Sequence, residues 1–117
     1  MRSLLLALAW VLGLATFGLA GQQRAPEPPE ARAARHHFDL AATRAAANFR
    51  SADSIEANLR GDGAVLHPRI ASLRLRVEAA LSEARHEMDQ HDYSAAEDAL
   101  GRADALLDRF ARAIGGY

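Results

Sequence analysis

The residues best suited to chemistry in this chain are its five histidines, His36, His37, His67, His86 and His91. His86 and His91 have acids close by, with Glu83 and Glu87 each within one helical turn of His86. Glu83-Ala84-Arg85-His86 spells the E-x-x-H step of di-iron helical bundles, which need two such motifs and two further glutamates facing inward. Only one motif is present, and the apolar pattern puts Ala84 inside and His86 towards water. A weak site for zinc, copper or nickel at His86 and His91 is the metal-binding alternative; solvated surface residues are the simpler expectation. His36 and His37 are sequence neighbours and point about a quarter-turn or more apart on a helix, so they do not chelate together.

Nothing else in the chain sets up catalysis. Ser51, Ser54, Ser72, Ser82 and Ser94 occupy polar helical positions without a Gly-x-Ser-x-Gly elbow, and no glycine-rich phosphate loop follows a strand. The paired acids Asp104 and Asp108 read as a hydrated face. Asp98 with Arg102, and Asp108 with Arg112, have the acid-first i,i+4 order that supports a helix. No enzyme, no resident metal and no cofactor are expected.

These residues need helices to hold them, and the clearest helix is the last. Tyr93, Ala96, Leu100, Ala103, Leu107, Phe110 and Ile114 recur at steps of three and four, forming a narrow coiled-coil-like seam. The preceding segment, from about Pro68 to Gln90, carries a matching stripe of Ile70, Leu73, Val77, Ala80 or Leu81, Ala84 and Met88. The break at His91-Asp92 is short, so the last helix must fold back antiparallel. Asp92 can cap its start; Ser94 with Glu97 is an alternative capping box.

A longer helix is expected before that hairpin. It starts near Pro29 or Glu30, where proline suits the first helical position and a glutamate suits the dipole. It runs to Arg60 with Phe38, Ala42, Ala45, Phe49, Ala52, Ile55 and Leu59 on its apolar face. Gly61-Asp62-Gly63 stops it, because glycine takes a left-handed cap cheaply. His67 is pushed to extended backbone by Pro68. The fold class is therefore all-α, an antiparallel three-helix bundle over residues 30–115. Its Ala31–His37 end is expected to overhang the shorter helices, and Leu40, Leu66, Leu75 and Leu106 fall beside or off the stripes.

Residues 1–20 read as a cleaved signal peptide: Arg2, an apolar run from Leu4 to Leu14, and small residues at Gly18 and Ala20. The run is short for a membrane helix, which usually needs ~20 apolar residues. A membrane role is therefore expected only through an uncleaved signal segment. Residues 21–29 are a Pro-rich linker. Cleavage removes Arg2 and leaves thirteen arginines against fifteen acids, a net charge of −2. That balance argues against nucleic acid, whose binders carry a clustered basic excess. The chain has no cysteine, which removes disulfides, thiol catalysis, thiolate metal sites and a lipoprotein anchor. All its basic side chains apart from histidine are arginine, as coding bias in a GC-rich genome would produce.

Asp92-Tyr93-Ser94-Ala95-Ala96, followed by Leu100 and Ala103, resembles the start of the second helix of a tetratricopeptide repeat. Ala84 falls where that repeat keeps a small residue in its first helix. The resemblance covers residues 84–103. It implies a helical hairpin locked by Tyr93, Ala96, Leu100 and Ala103, and faintly implies protein binding. The function expected is a small periplasmic or secreted interaction or scaffold module, non-catalytic, meeting a protein partner or a second copy along its first helix. A periplasmic metal-binding or envelope-stress protein is the alternative.

Overall fold

Pro29 opens the first helix because its fixed φ suits that turn and its missing N–H would have no partner there. A computed structural model describes residues 26–117, and the expected signal peptide and most of the linker lie outside the described residues. Three α-helices follow: α1, Pro29–Gly61; α2, Pro68–Asp89; and α3, Tyr93–Ile114. There is no strand among the described residues, and none of these helices is long and apolar enough to cross a membrane.

Both interhelical turns close the same way. After α1, Gly63 takes φ +76°, its N–H donates to the Arg60 carbonyl, and the Ala64 N–H donates to Leu59 at 2.7 Å. After α2, His91 takes φ +59°, its N–H donates to Met88, and the Asp92 N–H donates to Glu87 at 2.9 Å. These paired bonds are the Schellman arrangement, with the left-handed residue just past the cap. Asp92 then caps α3, its carboxylate accepting from the Ala95 N–H at 3.1 Å. Ser94 lies inside the helix, and the Glu97 carboxylate points to another helix, so the capping-box alternative is not used. His67 is extended as expected, and its Nδ1 also caps α2 by accepting from the Arg69 N–H at 3.1 Å.

The α2–α3 hairpin carries the bulky core. Val77, Leu100, Leu107 and Phe110 are completely buried, with Ile70 and Leu73 nearly so. Each such side chain contributes about 1.5–3 kcal/mol on burial. Ile70 near the start of α2 shares a cluster with Phe110 near the end of α3, so the two helices are antiparallel. Ala84, Ala96 and Ala103 are buried between them, and Ala99, outside the expected stripe, is buried too. Ala80, not Leu81, takes the inner position. Tyr93, Met88 and Ile114 are only half-buried, because at the ends of a seam one neighbour is missing.

α1 lays an alanine face on this hairpin. Ala31, Ala34, Ala41, Ala45 and Ala52 are its buried residues, while Phe38, Ala42, Phe49, Ile55 and Leu59 are half-buried. The face is thus turned from the expected one, with Ala41 rather than Ala42 at its centre. The small side chains permit close approach, and the phenylalanines wedge along the edge; Phe49 meets Phe110 edge-on at 5.4 Å. The expected overhang of Ala31–His37 is also corrected, since Ala31 and Ala34 are buried. The surplus length lies at the other end, where Ala57, Asn58, Arg60 and Gly61 are exposed. Leu66 and Leu106 join the core from its edge, whereas Leu40 and Leu75 stay in water.

Candidate functional site

α1 meets the hairpin along two rims of opposite character. On the α3 side the rim is ionic. His37 stands between two α3 carboxylates, with Nδ1 2.6 Å from Glu97 Oε2 and Nε2 2.7 Å from Asp104 Oδ2. Glu97 and Asp104 are two helical turns apart and so share a face. An ionised carboxylate only accepts, and a neutral imidazole has one N–H to give. Both contacts are hydrogen bonds only when both ring nitrogens donate, that is, in the imidazolium. The Asp104 and Glu97 bonds accordingly raise the His37 pKa above its ordinary value, against the opposing pull of burial. One step further along, Arg44 reaches Asp108 and holds its pKa below the ordinary range.

On the α2 side the rim is open and its α1 half is apolar. Phe38, Ala42, Ala45, Ala46 and Phe49 of α1 face Glu78, Leu81, Ser82 and Arg85 of α2 across a cleft of about 350 Å³. α1 packs less closely here than against α3. Two arginines of α2 lie over the aromatic rings: Arg85 5.1 Å from the Phe38 centroid, and Arg74 4.6 Å from that of Phe49. Arg74 also bonds Asp53 at 2.7 Å and Glu78 at 3.5 Å.

The metal candidates of the hairpin turn are differently engaged. Glu83 accepts from Arg102 at 2.7 Å, tying α2 to α3, so Arg102 leaves its i,i+4 partner Asp98 for an interhelical one. Glu87 is half-buried and His86 exposed. His91 Nδ1 lies 2.9 Å from the Tyr93 hydroxyl. Among the described residues no three histidine or carboxylate side chains converge to hold a metal ion. The His37 trio cannot, because its two ring nitrogens face opposite ways. Asp104 and Asp108, read from sequence as a hydrated face, are the α3 half of the ionic rim. His37 was not singled out by spacing, since the carboxylates that define its role lie 60 and 67 residues away.

These features define a class by fold alone, a three-helix all-α protein with an ionic rim on one side of α1 and an open cleft on the other. No family model matches the chain, and no curated protein or solved structure matches it.

Proposed function

We propose that this chain is an exported helical interaction module, periplasmic or secreted, that works through protein contact without catalysis, and that a second copy docks along the α1–α2 rim. The observation that supports the reading is the open cleft over Phe38, Ala46, Phe49 and Leu81. Apolar surface left uncovered on a small domain tends to mark a contact site, and two-fold pairing is the commonest way to cover it.

Charge argues for a second copy as the occupant. Arg85 marks one end of the cleft, beside Phe38, and has no ion-pair partner among the described residues. At the Phe49 end Arg74 is shared by Asp53 and Glu78, so that end is net acidic. An antiparallel two-fold pairing sets the basic end of one copy against the acidic end of the other, twice over.

Sedimentation equilibrium over a wide concentration range is expected to show a monomer–dimer equilibrium. Ala46 is exposed and lines the cleft. Ala46→Glu keeps a good helix former and is expected to weaken the dimer about tenfold or more, the effect of about 1.4 kcal/mol. Its melting temperature at high dilution should match that of the parent. A strict monomer with a concentration-independent melting temperature would sink this pairing.

A further inference from the structure

Among the described residues some arginines hold a carboxylate and others do not, and three of the second kind share one place. Arg35, Arg44, Arg60, Arg74 and Arg102 each hold a carboxylate. Arg69, Arg109 and Arg112 have no ion-pair partner among the described residues, yet they line one cleft of about 300 Å³ with only Ala113 beside them. Three guanidinium groups gathered on one cleft without a carboxylate make a concentrated positive patch, which an anion would neutralise.

Local structure sharpens the point. Arg69 sits in the first turn of α2, where the helix dipole is positive and an acid would be favourable; that turn contains none. Its own N–H is already capped by His67 Nδ1, so the guanidinium is what the turn offers to solvent. Arg109 and Arg112 are three apart on α3 and therefore share a face. Asp108 feels Arg112, but its carboxylate is taken by Arg44. Ala113, the fourth lining residue, brings no charge or polar side chain to the cleft. Guanidinium forks match the paired oxygens of a phosphoryl group, which each can hold bidentately.

We propose that Arg69, Arg109 and Arg112 form a binding site for a phosphoryl group, carried either by a soluble phosphate ester or by a phospholipid headgroup. The site uses other residues than the α1–α2 cleft and stands whether or not the chain dimerises.

The test uses the full chain and inorganic phosphate as the probe, read by NMR at the arginine Nε–H groups. Phosphate is expected to shift the signals of Arg69, Arg109 and Arg112 together along one saturable curve. Arg32, Arg50 and Arg76, also exposed and without ion-pair partners among the described residues, serve as internal controls. Equal, unsaturable shifts at all six would overturn the site, since that is the behaviour of a general ion atmosphere. Arg109→Gln and Arg112→Gln should each weaken phosphate binding about tenfold. Both positions are exposed, so the melting temperature without phosphate should hardly change in Arg109→Gln and fall only slightly in Arg112→Gln, which loses its i,i+4 acid Asp108. Unchanged phosphate affinity in both variants would also overturn the proposal. Vesicles of phosphatidylglycerol, with phosphatidylcholine vesicles as control, separate the two sources. Co-sedimentation with the former alone, lost in Arg109→Gln, identifies a headgroup; saturable phosphate binding without it identifies a soluble ester.

Discussion

A neutral imidazole has one N–H, and His37 faces two carboxylate oxygens, so the charge on His37 decides whether both bridges to α3 hold. Its pKa in the folded protein is raised from 6.5 by Asp104 and then Glu97. A raised folded pKa means that the stabilisation is fully present below the unfolded value and is lost as pH rises through the folded one. The pair groups are partly exposed, so the bridge is worth roughly 1 kcal/mol at most. His37→Gln is therefore expected to lower the melting temperature at about pH 5 and to have much less effect at about pH 9. NMR titration of the His37 ring should give a midpoint above the ordinary histidine value. An ordinary or lower midpoint, or an equal loss at both pH values, would contradict the bridge. Asp108 has the opposite sign: its contribution through Arg44 is present above the ordinary carboxylate value and is lost as pH falls through the lowered one.

At the scale of the elements, the two turns show one backbone solution with different residues. Gly63 meets the left-handed position at no steric cost; His91 adopts it with a Cβ in the way. The Tyr93 hydroxyl bonded to His91 Nδ1 and the edge-on contact of the two rings at 6.1 Å offset part of that strain. His91→Gly is expected to raise stability by roughly 0.5–1 kcal/mol, measured by denaturant unfolding with an unchanged m-value. A loss of stability would show that the Tyr93 contact outweighs the backbone strain. The same turn folds α3 back along α2, so that Ala84 and Leu100 share one cluster and Ile70 and Phe110 another.

For the molecule as a whole, the alanine face of α1 binds it to a hairpin that already holds the bulky core. Ionic bridges on one rim and aromatic rings under arginines on the other complete the attachment. α1 is thus the element whose surroundings the proposed dimerisation would change most. The proposed export belongs to this scale too. A signal peptide over residues 1–20 predicts that mass spectrometry of the exported protein finds Gly21 at the N-terminus. A full-length species in the membrane fraction would make the Pro-rich linker a tether instead.

Local pattern was enough to read three helices, their bounds to within about two residues, and the hairpin. Apolar steps of three and four, prolines at two starts and Gly61-Asp62-Gly63 are local signals with local causes. The inner residues Ile70, Leu73, Val77, Leu100, Leu107 and Phe110 were legible for the same reason. The facing of α1 was not. Its surface is alanine over much of its circumference, so a stripe through Ala42 and one through Ala41 read almost equally well, and only close approach to α3 chooses between them. α3 starts at Tyr93, which makes Asp92 its cap and puts Ser94 inside the helix, while Glu97, the other half of the capping box, turns to His37. The His37 bridge and the gathering of Arg69 with Arg109 and Arg112 likewise depend on which residues of distant helices come side by side. Local sequence determines which stretches become helices and where they stop; the tertiary structure decides which charges of different helices meet.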